Sequence, residues 1–268
     1  MARQRGLVHR LARRMPGAQE AYRRLKIRRA LARKVVRIDH PTLDVRIRVT
    51  TGPTARLRVE SVAKEPWTVA WLEGAVRPGD IVWDVGANVG VYTLLAARLL
   101  GDEGTVVAVE PGYANFAALC DNVVLNGLGE RVVPLPLVLG ATPGTATLDY
   151  SDLRAGSALH VLDGSGAQAA YRQPVLVHTV DQVVESFGVA PPTLLKLDVD
   201  GGEAAVLAGA RDVLGRPELR SVLVEIESEL TEPVVSALAE SELFLAEEVH
   251  ERDGEPLPGV WYGVFERR

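Results

Sequence analysis

Short apolar runs alternate with helix-period segments over most of this chain. The run Ile81-Val82-Trp83 leads into Asp84-Val85-Gly86-Ala87-Asn88-Val89-Gly90. Residues 91–100 then place Val91, Leu94, Leu95 and Leu99 on one helical face. That order predicts a buried strand, a tight glycine turn and a helix. A second run, 105–109, ends in Glu110-Pro111 and is followed by a helical pattern over 113–126, stopped by Gly127. Residues 132–139 read as a third strand, with Pro134 and Pro136 pointing to an irregular or edge-facing start. Runs at 194–198 and 221–227 predict two more core strands, each followed by a helix, over 204–210 and 232–240. Residues 145–150 and 174–180 read as short strands and 181–187 as a short helix. There Asp181 is a cap or first-turn charge rather than a catalytic acid. Residues 243–250 and 260–266 read as a closing antiparallel pair around Asp253-Gly254. Strands alternating with helices, then a terminal hairpin, predict a doubly wound α/β sheet.

The N-terminal part has a different texture. Two alternating runs, 43–49 and 56–60, flank Thr50-Thr51-Gly52-Pro53-Thr54 and predict a β-hairpin ahead of the main domain. A helix is expected over 67–75. Before the hairpin, Leu7, Leu11, Tyr22, Leu25, Leu31 and Val35 recur at helical spacing, interrupted at Met15-Pro16-Gly17. The division expected is a basic helical arm over 1–40, a hairpin extension over 41–66 and the α/β domain over 67–268.

Charge sharpens that division. The net charge of −5 conceals a strongly basic arm, since residues 1–37 carry about 13 Lys and Arg against one acid, Glu20. Three uses of the arm stay open: contact with an anionic lipid surface, contact with nucleic acid, and packing on the acidic body or a partner subunit. No apolar run approaches the length needed to span a bilayer, and the N-terminus has no apolar signal core. A cytoplasmic location is expected, peripheral to the membrane if the arm meets lipid. The single Cys120 excludes an internal disulfide and a cysteine metal cluster, and its apolar neighbours suggest a small buried thiol.

The candidate chemistry starts at the glycine turn. A strand that feeds a tight turn and a helix N-terminus makes a cofactor cradle, with Gly86 and Gly90 offering bare backbone to a ligand. Glu110, at the tip of the next strand, is placed to hydrogen-bond ribose hydroxyls. Dinucleotide-binding loops have glycine where Asn88 stands here. A cofactor with ribose and adenine but no phosphates fits the altered spacing better, and S-adenosylmethionine (SAM) is the common one. Asp198, Asp200 and Glu203 crowd the turn after the 194–198 strand, at the sheet edge where such pockets form. Asp198 is the first candidate for a general base, with a role as ligand to the SAM amino group equally open. Asp198, Asp200 and Glu225 would also suit a divalent ion, although no His adjoins them in sequence and no metal is assigned. Glu203 is expected to serve a helix N-terminus, and Lys196 to pair with a buried carboxylate. The Gly-, Ser- and Ala-rich stretch 151–170 reads as a functional loop carrying Asp152, Arg154 and His160. His160 is the second catalytic candidate; His178, on a strand, is expected to be structural. Trp67, Trp71 and Tyr92 are expected in the core, with stacking on a sugar as the alternative.

Several of these segments together resemble the FkbM-type family of class I SAM-dependent methyltransferases. The matching pieces run in family order from about residue 55 onward. They are Val82-Trp83-Asp84-Val85-Gly86-Ala87-Asn88-Val89-Gly90-Val91-Tyr92-Thr93, Ala108-Val109-Glu110-Pro111, Asn122-Val123-Val124-Leu125-Asn126, Thr179-Val180-Asp181, Leu195-Lys196-Leu197-Asp198-Val199-Asp200-Gly201-Gly202-Glu203 and Val224-Glu225-Ile226-Glu227. The departures are Asp200 where the family commonly has Glu, Gly202 where it has a polar or small residue, and no acidic or hydroxyl residue just after Gly140. Residues 1–37 lie outside the resemblance. It implies a Rossmann-like, seven-stranded, doubly wound sheet and SAM as cofactor. It also implies that Asp84, Gly86, Ala87, Asn88 and Gly90 line the methionine and ribose part, that Glu110 with Pro111 takes the ribose, and that Asp198 stands near the sulfonium. The family is associated chiefly with O-methylation of sugars, glycoconjugates and polyketide-type metabolites, so a small-molecule or glycan acceptor is expected. An RNA or protein methyltransferase that binds through the basic arm is the alternative. Against nucleic acid, no Asn/Asp-Pro-Pro-aromatic motif follows the 194–198 strand.

Overall fold

The computed structural model describes residues 34–49, 58–150, 161–162, 171–252 and 255–268. Two compact units divide the chain at Val35/Val36, and the second carries nearly all of the described residues. The basic arm through residue 33 lies outside them, as does most of the 151–170 stretch, including Asp152, Arg154 and His160.

The first described elements are β1 (Lys34–Arg37) and β2 (Arg46–Val49), which form a two-stranded sheet. The expected hairpin therefore has a different partner. Residues 58 and 59 are helical, and the segment pairing with β2 precedes it. Val35, assigned by spacing to the basic helix, lies in β1. The alternation at 46–49 reports one buried face, but it does not say which neighbour supplies the ladder. Helices α1 (Ser61–Lys64) and α2 (Pro66–Ala75) follow.

The main sheet takes β3 (Ile81–Val85), then α3 (Val91–Leu100), β4 (Thr105–Val109), α4 (Tyr113–Leu125) and β5 (Val132–Leu135). The segment expected as one strand over 132–139 breaks at Pro136. Its first half is an edge strand of the main sheet, where Pro134 stands in register with Ala108. An edge tolerates a residue with no N–H to donate. Its second half, β6 (Val138–Leu139), enters a separate four-stranded sheet with β7 (Gly144–Tyr150), β8 (Val161–Leu162) and β9 (Tyr171–His178), in the order β6-β9-β7-β8. This second sheet brackets the stretch read as a loop.

Helix α5 (Val180–Phe187) leads to β10 (Leu194–Leu197), α6 (Glu203–Ala208), α7 (Arg211–Leu214), β11 (Ser221–Glu227) and α8 (Thr231–Glu240). The chain closes through β12 (Leu243–Val249), the short pair β13 (Glu251–Arg252) and β14 (Glu255–Pro256), and β15 (Val260–Arg267). The seven-stranded sheet has the order β12-β15-β11-β10-β3-β4-β5. Its five strands from β11 to β5 are parallel, and β15 runs antiparallel to both β11 and β12. This is the Rossmann-like, doubly wound sheet with a closing antiparallel pair.

Alternate residues of each central strand enter different cores, which is why the strands read as unbroken apolar runs. Val82, Leu194 and Leu223 pack with Leu94, Leu95 and Leu119 on one face. Trp83, Leu195 and Val222 pack with Val206, Leu207 and Val234 on the other. The helix expected over 204–210 gives way at Gly209 to a second short helix; a Cβ at Gly209 would stand 2.1 Å from Gly140 O. Asp181 caps that second helix, α7, rather than its own. Its carboxylate accepts from Asp212 N at 3.1 Å and Val213 N at 3.0 Å, whereas Thr179 Oγ1 caps α5 by accepting from Gln182 N. Asp181→Ala is expected to cost about 1 kcal/mol in urea unfolding, and Asp181→Asn less, since its amide oxygen still accepts.

Candidate active site

The ends of β3, β4 and β10 open on one cleft at the C-terminal edge of the parallel strands, holding about 1170 Å³ of empty space with its mouth included.

At one end stands the glycine turn. Gly86 N and Ala87 N both donate to Val109 O at 3.0 Å, so the turn is tied to the end of β4. Gly86 has φ +83, and a Cβ there would lie 1.7 Å from Asp198 O. Its missing side chain lets β3 and β10 converge. Gly90 has φ +89 and packs against Leu119, where a Cβ would stand 2.4 Å from Cδ1. Both glycines thus answer to the protein's own packing. Asn88 adopts φ +52, a left-handed conformation that asparagine tolerates better than most residues. Its N–H donates to Glu110 Oε2 at 2.8 Å, and Gly112 N donates to Oε1 at 2.8 Å. Glu110 therefore joins the turn after β3 to the turn after β4. Burial pushes its carboxyl up to about 7, against the two backbone N–H groups and Asn115, which favour the charged form. Beside it Val109, Leu137, Val138, Leu139 and Leu148 form an apolar wall.

The other end is rich in charge. Lys196 Nζ lies 2.8 Å from Asp198 Oδ2 and 3.6 Å from Asp84 Oδ1, with the lysine 3% exposed. Burial opposes the ammonium, but Asp198 and Asp84 outweigh it and hold its pKa above the ordinary lysine value. The reciprocal holds for Asp198, where burial raises the pKa and Lys196 more than reverses that, leaving it below the usual carboxylate range. Tyr92 lies over Lys196, 5.3 Å from ring centroid to Nζ. Glu225 accepts from the Tyr262 hydroxyl, and Glu65 pairs with Lys64. Asp84 Oδ2 accepts from Thr93 Oγ1 at 2.5 Å. Among the described residues, Asp84 Oδ1 and Glu65 Oε2 are buried without a hydrogen-bond partner.

Of the residues expected from sequence, Gly86, Ala87, Asn88, Glu110, Pro111 and Asp198 line this cleft together. Asp84 and Gly90 stand behind its wall. Asp84 serves Thr93 and Lys196, and Gly90 opens α3. His160 lies outside the described residues. His178 is structural, its Nδ1 bonded to Gln182 Oε1 at 2.9 Å and its ring edge-on to Phe187. Glu203 is 1% exposed, and its Oε1 accepts from Val199 N and Gly201 N, so it clamps the turn after β10 from within. Tyr92 packs against the core as expected and also lines the cleft, while Trp71 donates to Ser221 Oγ away from it. Arg58, Lys64 and Glu65 also line it and were not foreseen. A carboxylate directly before Pro66 at a helix start was the available signal, and it indicates a helix boundary rather than a pocket. Among the described residues, no three His, Cys, Asp or Glu side chains converge to hold a metal ion, and no helix is long and apolar enough to cross a membrane.

Comparison with known proteins identifies a family. A family model described as the methyltransferase FkbM domain matches residues 84–250, more than half of the chain. The hexuronic acid methyltransferase AglP of Haloferax volcanii is 28% identical over 204 residues, covering 72% of this chain and 79% of that protein. The 31-O-demethyl-FK506 methyltransferase FkbM of Streptomyces tacrolimicus is 32% identical over 175 residues, covering 56% of this chain and 66% of that one. Among solved structures, methyltransferase FkbM from Methylobacillus flagellatus KT aligns over 78% of this chain and 52% of its own, at 14% identity and a TM-score of 0.49. From Asp84 in β3 through the strand that bears Glu225, the matched segment contains most of the cleft, and the chain belongs to the FkbM family of SAM-dependent methyltransferases.

Proposed function

We propose that the protein methylates a hydroxyl oxygen of a sugar, a glycoconjugate or a polyketide-type metabolite, with SAM as methyl donor. The observation that carries this reading is the polarity of the cleft. It has a nucleoside-type end at Asn88, Glu110 and residues 137–139, and a charged end where the buried Lys196 meets the half-buried Asp198 and Glu225. The residues fit SAM. Glu110 has carboxylate capacity beyond its two backbone bonds for ribose hydroxyls. The apolar wall suits adenine. The unpartnered Glu65 Oε2, on a residue that lines the cleft, would suit an ammonium, directly or through water. When bound, SAM supplies an electrophilic methyl group on a sulfonium. The protein's part is to align acceptor oxygen, methyl carbon and sulfur, to exclude water and to take the acceptor's proton.

The names of the two relatives, one a hexuronic acid methyltransferase and one a 31-O-demethyl-FK506 methyltransferase, support an oxygen-bearing small molecule as acceptor. The test is transfer of isotope-labelled methyl from SAM to a panel of neutral and acidic methyl glycosides. Incorporation into at least one supports the reading, and none across the panel counts against a sugar acceptor.

Glu110 makes cofactor binding pH-dependent. Its ionised form is the stronger acceptor for ribose hydroxyls, so SAM affinity is expected to rise as pH passes upward through about 7. Calorimetry should show that rise in the wild type and a flat profile in Glu110→Gln. The same shift has an opposite consequence for stability. A carboxyl raised from 4.5 to about 7 holds a proton in the folded state that the unfolded chain has lost. Its contribution to stability is therefore present below about 4.5 and declines as pH rises to about 7.

A further inference from the structure

Asp84, then Lys196 with Asp198 just beyond its strand, then Glu225, then Tyr262 follow one another across β3, β10, β11 and β15. Asp84 stands in register with Lys196, and Glu225 with Tyr262. The row mixes three carboxylates with one ammonium. Lys196 approaches Asp198 to 2.8 Å and Asp84 to 3.6 Å, so its charge is committed to those two. Glu225 is bonded instead to a neutral donor, the Tyr262 hydroxyl, and it lines the cleft.

Resting on the O-methyltransferase reading above, we infer that Glu225 is the general base of methyl transfer, oriented by the Tyr262 hydroxyl. In the step, the acceptor oxygen forms a bond to the methyl carbon as the carbon–sulfur bond breaks. That bond's electron pair stays on sulfur, giving S-adenosylhomocysteine, and the hydroxyl proton passes to the Glu225 carboxylate. Atoms and charge balance with no further reactant.

Among the described residues, Lys196 from β10, Asp198 just past its end, Glu65 from the α1–α2 junction and Tyr262 from β15 face Glu225. Burial comes first in raising its pKa. Asp198 and Glu65 add to it, while the Tyr262 hydrogen bond and Lys196 oppose it, and the result is about 8. A base with a pKa near working pH combines availability with affinity for the proton. Asp198, held ionised by Lys196, is the weaker acceptor; this favours Glu225 over the base that the sequence suggests first. The Tyr262 hydroxyl cannot take that role, because burial and then the Glu65 charge push its own ionisation far upward. Tyr262 is therefore a positioning residue. Its ring packs at a tilt against Trp67, 4.8 Å between centroids, which holds the phenol against β11.

The test uses the full-length protein in three measurements. Infrared titration follows the protonated-carboxyl stretch in wild type, Glu225→Gln and Tyr262→Phe. Calorimetry follows SAM binding. Methyl transfer from SAM is measured with methyl glucoside and methyl glucuronide as probes. Wild type should lose a protonated-carboxyl band as pH rises through about 8, and Glu225→Gln should lack that band. Tyr262→Phe should move the midpoint upward, since the hydrogen bond it removes favours the charged form. Glu225→Gln should bind SAM as wild type does, yet methylate hydroxyls about 100-fold more slowly or worse, with the rise in rate through pH 8 abolished. Absence of a titrating band that belongs to Glu225 overturns the inference, as does a Glu225→Gln variant with wild-type rate and pH profile. If wild type methylates neither glycoside, the sugar reading fails, and the infrared titration alone then decides the state of Glu225.

Discussion

Replacing Lys196 with methionine is expected to destabilise the protein by about 3–5 kcal/mol, because it leaves carboxylates without their buried cation. Asp84 is 2% exposed, and its Oδ1 has Lys196 as its nearby charge at 3.6 Å. Asp198 loses its 2.8 Å partner at the same time. Methionine keeps most of the buried volume, so a lost cavity does not confuse the result. The folded-state pKa of Asp198 lies below its ordinary value, so the stability it contributes is present above about 3.8 and is lost as pH falls below it. In the variant the same carboxyl is unpaired and takes up a proton more readily. The gap between the two proteins should therefore narrow on acidification, as urea denaturation at a series of pH values would show. A gap that stays constant with pH would mean that Lys196 acts by packing alone.

Gly86→Ala has the second large effect expected. The left-handed backbone at φ +83 costs a residue with a Cβ about 1–2 kcal/mol. The Cβ would also meet the Asp198 carbonyl at 1.7 Å, which forces β3 and β10 apart at the cleft. Overpacking of this kind adds about 1–3 kcal/mol. The total expected is about 2–5 kcal/mol, together with loss of SAM binding, since Asn88 and Ala87 move with the turn. Gly74 is the matched control. It lies in α2, and a Cβ added there would meet nothing within 4 Å. Gly74→Ala should be neutral or stabilise by up to about 1 kcal/mol. Equal behaviour of the two alanine variants in thermal unfolding would refute the close approach of the strand ends.

The main sheet was legible because its strands are buried on both faces and their helices are periodic. β3, β4, β10 and β11 all lie where apolar runs predicted them, and Glu110 and Asp198 stand at strand tips as their positions after those runs implied. What stayed obscure depends on contacts between distant segments. The partner of β2 is set by tertiary pairing, and the alternation over 43–49 is compatible with either neighbour. The division of residues 132–139 between two sheets follows from Pro136, whose effect on pairing is local while its effect on topology is not. The charged end of the cleft illustrates the same limit. Lys196 with Asp198 is readable, being two residues apart, and the resulting ion pair is present. Glu225 with Tyr262 spans 37 positions and emerges only once β15 is known to pair with β11. Glu65 reaches the cleft because α2 begins beside it, which no local pattern announces.

The most direct measurement of cofactor recognition is calorimetric titration of SAM, S-adenosylhomocysteine and NAD into the wild-type protein and Glu110→Ala at about pH 8, where Glu110 is largely ionised. SAM and its product should bind and NAD should not. Glu110→Ala should weaken SAM by about 1.5–3 kcal/mol, the value of a hydrogen bond to a charged group. Binding of NAD in place of SAM, or SAM binding that ignores Glu110→Ala, would contradict the assignment of this cleft to SAM through Glu110.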